Sequence, residues 1–96
     1  MIAVIFRATI AQFDDDYFRT ALKLKELAMN KYGCLDFTSV TEGNEEIAIS
    51  YWENEQQIRD WKKDPEHRLA QQAGASKWYA SYSVDICRIS RAYKRP

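Results

Sequence analysis

Four residue types that build common functional sites are scarce here: three glycines, two prolines, two cysteines and one histidine among 96 residues. Gly33, Gly43 and Gly74 are scattered, so no glycine-rich phosphate cradle exists. Cys34 and Cys87 are too few for a disulfide framework and lack metal-ligand spacing, which leaves reduced, buried thiols as the reading. A single histidine with no cysteine nearby builds no ordinary metal site. Net charge is absent too: fourteen basic residues balance fourteen acidic ones. Without a basic footprint, neither nucleic acid nor an anionic membrane surface is expected as a partner. No run approaches the roughly twenty apolar residues of a membrane helix. The N-terminal run Ile2–Phe6, followed by Arg7, is too short for a signal peptide and lacks a basic start, so a cytoplasmic location is expected.

What is present is an ordinary globular composition, 46% hydrophobic and 29% charged, which suits one domain over residues 1–96. Residues 91–96 form a basic tail. A chain this short buries only about two-thirds of its unfolded surface, so association would help it.

Residues Ile2 to Ile10 read as a strand, with Ile2, Val4, Phe6 and Ala8 toward the core and Ala3, Ile5, Arg7 and Thr9 on the other face. Asp14 caps a helix whose first turn is acidic, and Phe13 and Phe18 are spaced as a hydrophobic staple. Two apolar rows follow along that helix, Tyr17-Ala21-Leu24-Ala28 and Phe18-Leu22-Met29-Tyr32, and Gly33 ends it. Cys34 to Thr41 and Glu46 to Trp52 read as a hairpin about Gly43-Asn44, both of which are expected to supply positive φ. Asn54 with Gln57 opens a short helix carrying Ile58 and Trp61. Asp64-Pro65 opens the next, within which Gly74 either admits a close neighbour or marks a break. Ser81 to Ser90 reads as the last strand, with Tyr82, Val84 and Ile86 on one face.

The order β-α-β-β-α-β, with the second helical segment broken in two, is the ferredoxin-like α+β pattern: a four-stranded antiparallel sheet with helices on one face. Apolar residues fall on both sheet faces, and nothing else in the chain can cover the second. A homodimer is therefore expected. In this topology the second and fourth strands are opposite edges, which keeps Cys34 and Cys87 from bridging. An RNA-recognition domain shares the order, but its third strand should be basic and aromatic, whereas here it reads Glu45-Glu46-Ile47-Ala48-Ile49-Ser50-Tyr51.

The aromatic residues concentrate between Tyr51 and Tyr82, with Trp52, Trp61, Trp78 and Tyr79 among them. They form either a core or a pocket wall. His67, one turn behind the Asp64 cap, sits where a helix dipole favours a neutral ring; it is either a general base or a surface histidine between Glu66 and Arg68. Arg7, mid-strand among apolar neighbours, either pairs with Asp85 or Asp36 or anchors a substrate oxygen.

The series Ile49-Ser50-Tyr51-Trp52-Glu53, Ile58-Arg59-Asp60-Trp61-Lys62, Pro65-Glu66-His67 and Trp78-Tyr79 with Tyr82 resembles the antibiotic biosynthesis monooxygenase domain family over nearly the whole chain. The resemblance implies a dimeric α+β barrel. It also implies oxidation of a hydroxylated aromatic or quinol-like molecule by oxygen without a cofactor; a non-catalytic small-molecule-binding or housekeeping domain of the same fold is the alternative. On the oxygenase reading His67 and Arg7 serve catalysis, while Trp52, Trp61, Trp78, Tyr51 and Tyr82 hold the substrate. The haem-degrading branch fits less well: Trp61 matches its pattern, but Arg7 stands where it has Asn, and Gln71 falls near the position of its histidine ligand.

Overall fold

The computed structural model describes residues 1–96. Strand β1 (Ile2–Ile10), helix α1 (Asp15–Asn30), the hairpin β2 (Asp36–Glu42) and β3 (Glu45–Trp52), helices α2 (Glu55–Lys63) and α3 (Pro65–Ala73), a π-helical turn (Gly74–Trp78) and strand β4 (Tyr79–Arg88) follow one another. The sheet has four strands in the order β2-β3-β1-β4, all pairs antiparallel. This is the ferredoxin-like α+β arrangement. No helix is long and apolar enough to cross a membrane.

Local chemistry fixes the helix ends. Asp14 accepts the Tyr17 amide at 2.7 Å, and Phe13 stacks on Phe18 across that cap, with centroids 5.8 Å apart. Asn54 accepts the Gln57 amide at 3.0 Å, while the Gln57 side chain takes the Glu53 amide at 3.1 Å. Gly33 has φ +82° as α1 gives way to the hairpin. Only Gly43 is left-handed in the hairpin turn; Asn44 is not, and its carbonyl instead accepts the Ile10 amide at 2.7 Å. Strand β2 starts two residues after Cys34, because the Cys34 amide still closes α1 through the Ala28 carbonyl at 2.9 Å. Strand β4 starts at Tyr79, earlier than the pattern suggests, directly out of the π-helical turn.

Strand register sorts side chains by face. Phe6 lies opposite Ala48 and Val84, and Val4 opposite Ser50 and Ile86; this row faces the helices. Arg7 lies opposite Ile47 and Ser83, and Ala3 opposite Tyr51 and Cys87; this row faces away. Two aromatic-rich clusters form under the helices. At one end Ile2, Val4, Ala28, Cys34, Trp52, Ile58 and Trp61 pack together. At the other Ile10, Tyr17 and Trp78 do so. Both cysteines are free, but only Cys34, just before edge strand β2, is buried; Cys87 lies within edge strand β4, on the uncovered face, and is half-buried.

Helix α1 departs from its sequence pattern. Its Tyr17–Ala28 row packs inward, but Phe18 is 57% and Leu22 58% exposed, and Met29 is exposed as well. The apolar stripe is wider than the strip of sheet the helix covers, so Phe18, Leu22 and Met29 stay exposed, while Tyr32 of the same row packs against the first cluster.

Candidate active site

Between the two clusters, bounded by the inner sheet face, α1 and the α2–α3 pair and open to solvent on one side, lies a cavity of about 390 Å³. That volume is within the usual range for small-molecule sites, about 300–1,000 Å³. Val4, Phe6 and Leu24 supply much of the apolar wall, and Trp61, Trp78, Tyr79 and Tyr82 the aromatic one.

Of the residues singled out in the sequence, His67, Trp61, Trp78 and Tyr82 meet in this cavity. Trp52 does not line it. That indole is 0% exposed, donates to the Ser50 hydroxyl at 2.8 Å and supports Trp61 from behind, with ring centroids 5.3 Å apart. Arg7 and Tyr51 lie outside the cavity altogether. Both belong to the row that points away from the helices, so strand parity separates them from any guest bound there. Arg7 is exposed and makes no ion pair with Asp85 or Asp36.

His67 sits in the first turn of α3, behind Pro65. The Asp64 cap accepts the Glu66 amide at 2.9 Å and the Tyr32 hydroxyl at 2.6 Å, with Lys31 Nζ at 3.7 Å. These contacts occupy the carboxylate, and the Tyr32 hydroxyl foremost holds its pKa down. The imidazole stands edge-on to Trp61, with centroids 4.4 Å apart. Its Nδ1 is buried and has no hydrogen-bond partner outside its own residue. Burial foremost lowers its pKa, a hydrogen bond with its own backbone works against that, the Lys62 charge adds to the lowering, and Asp64 opposes it. The ring is therefore neutral at pH 7. Trp61 is fixed by its own donor, Nε1 to the Leu24 carbonyl at 3.2 Å.

The opposite end of the cavity holds residues the sequence reading passed over. Tyr17, 3% exposed, donates its hydroxyl to Glu46, 9% exposed. Burial and the Glu46 charge push Tyr17 far above a normal phenol. Tyr79 is raised to about 12, by burial first and then by Glu46. Trp78 donates Nε1 to Asp14 at 3.3 Å, tying the π-helical turn to the start of α1. Gly74 is what lets Tyr79 enter: a Cβ there would lie 2.6 Å from the Tyr79 ring. Gly74 thus marks a break and admits a neighbour at once. Glu46 was legible by parity, since it shares its row with Ala48, Ser50 and Trp52. Tyr79 was not, because the pairing of β1 with β4 shifts register between Thr9 and Ile10, which breaks the alternation that would run from Tyr82 back to it.

A model of the antibiotic biosynthesis monooxygenase family matches residues 1–73. The chain belongs to that family. A relative is the uncharacterized protein YqjZ of Bacillus subtilis (strain 168), 36% identical over 90 residues that span 93% of this chain and 79% of that protein. Among solved structures, SnoaB, a cofactor-independent oxygenase from Streptomyces nogalater, superposes with a TM-score of 0.79 at 11% identity, covering 98% of this chain and 97% of that one. A conserved protein from Methanosarcina mazei Go1 gives 0.75 at 13% identity, over 91% and 90% of the two chains. At such identities these two structures speak for the fold. This monooxygenase-family fold places its cavity between sheet and helices, with one imidazole on the wall.

Proposed function

We propose that this chain oxidises a hydroxylated aromatic small molecule with molecular oxygen and no cofactor, in the cavity beside His67. The observation that carries the reading is the half-buried, neutral imidazole on the wall of an aromatic cavity. A neutral ring beside a guest can take a proton from a phenol or from an acidic ring CH₂. The resulting anion is electron-rich enough to reduce oxygen itself. For an anthrone-like CH₂, one oxygen atom becomes the new carbonyl, and the other leaves as water with the two displaced hydrogens. Lys62, also on the cavity wall, favours the anion by its charge. Trp61, Trp78 and Tyr82 provide flat walls for the rings. The family membership and the likeness to SnoaB support this assignment.

Oxygen uptake tests it directly. Wild type should consume oxygen with hydroxylated aromatics, and His67→Ala should lose at least about tenfold while keeping its fold.

Assembly as a homodimer belongs to the same proposal. Val40 is 62% and Ile47 37% exposed on the sheet face away from the helices, with Ile5, Ile49 and Tyr51 half-buried beside them. A second copy of the chain, sheet against sheet, would cover that row. Analytical ultracentrifugation at micromolar concentration should give twice the chain mass; a monomer mass contradicts it.

A further inference from the structure

The cavity has two polar ends, and only the His67 end takes part in the chemistry proposed above. Three polar or charged residues are buried in this chain: Glu46, Ser50 and Asp64. Ser50 accepts from the Trp52 indole. Asp64 caps α3 and binds Tyr32 and Lys31. Both have structural occupations. Glu46 forms no ion pair and accepts one side-chain hydrogen bond, from Tyr17. A carboxylate offers about four acceptor sites, and burying one without a cation is costly. Glu46 nevertheless lines the cavity, and so do Tyr17 and Tyr79 beside it.

We propose that Glu46, held in place by Tyr17, is a specificity-determining acceptor that takes a hydrogen bond from a second hydroxyl at the far end of the guest. Three features of the surroundings suit that role. Tyr17 and Tyr79 stay protonated beside the carboxylate, so its neighbours are donors, and Glu46 itself lines the cavity. Tyr17 is wedged edge-on between Trp78 and Tyr79, with centroids at 5.5 and 6.2 Å, which fixes its hydroxyl. The glycine at position 74 keeps the Tyr79 ring pressed into this end.

The two ends lie apart along the sheet. Glu46 belongs to the Tyr17–Trp78 end, whereas His67 abuts Trp61 at the Trp52 end. Along the cavity wall β3 runs from Glu46 to Ser50, an advance of four residues, about 13 Å at the usual rise. The cavity between them takes a flat fused-ring molecule lengthwise. One end is an imidazole with a lysine near it, the other a carboxylate. The guest that satisfies both is an aromatic with hydroxyls at opposite ends, one surrendered to His67 and one retained by Glu46. A guest with a carboxylate in place of the second hydroxyl meets like charge at Glu46.

This inference rests on the oxidation reading for the His67 end, but its test needs no turnover. Binding is measured by titration calorimetry under nitrogen with three probes. These are a dihydroxynaphthalene substituted at opposite ends, its monomethyl ether, and the matching hydroxynaphthoate. Wild type should bind the diol at least about tenfold tighter than the ether, and the naphthoate most weakly. Glu46→Gln presents an amide donor and should reverse this order, gaining at least about tenfold for the naphthoate. Tyr17→Phe keeps the carboxylate and should keep the preference for the diol. Equal binding of diol and ether by wild type, or the same ratios in wild type and Glu46→Gln, overturns the assignment. If no probe binds wild type, the aromatic-guest reading falls with it. If the discrimination is present but no hydroxylated aromatic drives oxygen uptake, the oxidation reading alone falls.

Discussion

The imidazole of His67 meets the indole of Trp61 edge-on, with ring centroids 4.4 Å apart and planes at 83°. This contact joins two helices of different origin. Trp61 ends the inward face of α2, and His67 begins α3 after the Asp64-Pro65 corner. The indole removes water from one side of the imidazole while the cavity opens near the other. A general base gains from this arrangement, because the neutral form persists to lower pH.

The first prediction concerns that titration. His67 is the sole histidine, so its imidazole resonance is unambiguous in a proton NMR titration. The midpoint should fall below the usual value of about 6.5. The sign for stability follows. Above about 6.5 both folded and unfolded rings are neutral, and the group contributes no pH dependence. As pH falls through that value the unfolded chain takes the proton first, so stability declines until the folded midpoint is passed. His67→Gln should flatten this part of the stability profile. A midpoint above 6.5 contradicts the burial argument.

A second prediction separates wall from core. Trp52 is 0% exposed and faces other side chains, so Trp52→Ala should cost about 3–5 kcal/mol, a large fraction of the stability of a small domain. The milder Trp52→Phe should lower the denaturation midpoint yet leave the affinity of aromatic probes within about twofold, since that ring does not face the cavity. Trp61→Phe should do the converse and weaken probe binding more than its cost in stability implies. Equal effects of the two substitutions on affinity would contradict the placement.

Gly74 and Tyr79 should be energetically coupled. Gly74→Ala places a methyl 2.6 Å from the Tyr79 ring, an overpacking that costs about 1–3 kcal/mol, against a helix-propensity gain of about 1 kcal/mol. The net effect should be destabilising. With Tyr79→Ala in the background the clash disappears, and Gly74→Ala should become neutral or stabilising. A double-mutant cycle in urea measures the difference, and additivity would show that the ring is not held there.

Asp14 gives the acid-side prediction. It caps α1 and also receives the Trp78 indole and Lys77, 3.6 Å away, so the start of α1 and the π-helical turn share one carboxylate. The Tyr17 amide foremost holds its pKa below the usual carboxylate value. The stabilisation is complete above the unfolded pKa of about 3.9 and is lost as pH falls through the lower folded value. Asp14→Asn retains a capping oxygen but not the charge. It should leave the cap largely intact while flattening the acid limb of a thermal-melting profile between about pH 4 and 2. An acid limb unchanged from wild type would remove Asp14 from this role.

Much of this architecture is legible in the chain because it rests on short-range chemistry. The caps at Asp14, Asn54 and Asp64, the Phe13–Phe18 staple and the hairpin about Gly43 are each set by residues within five positions of one another, and they give the element order. The site is less legible because it is assembled across the sheet. Tyr17 meets Glu46 over 29 positions, and only the pairing of β3 with β1, beneath α1, brings them together. Alternation along each strand does carry part of the answer. It sets Arg7 on the side opposite Phe6 and Tyr51 on the side opposite Trp52, and so away from the helices. A mid-strand arginine attracts attention by its chemistry, but its parity places it on the sheet face away from the cavity. Parity also puts Glu46 in the Trp52 row, where a charge stands out only once the row is known to line a cavity. The exposed Phe18 and Leu22 show the limit of helical periodicity: it gives the apolar stripe but not how much of that stripe the sheet will cover.

The central claim is that a neutral His67 on the cavity wall removes the proton that commits an aromatic guest to react with oxygen. An oxygen electrode, run on wild type and His67→Ala with a panel of phenols, quinols and anthrones, tests it most directly. Wild type should take up oxygen with at least one hydroxylated aromatic, and the rate should fall at least about tenfold in His67→Ala at an unchanged melting temperature. Equal uptake by the two proteins, or none by wild type with any member of the panel, would contradict it.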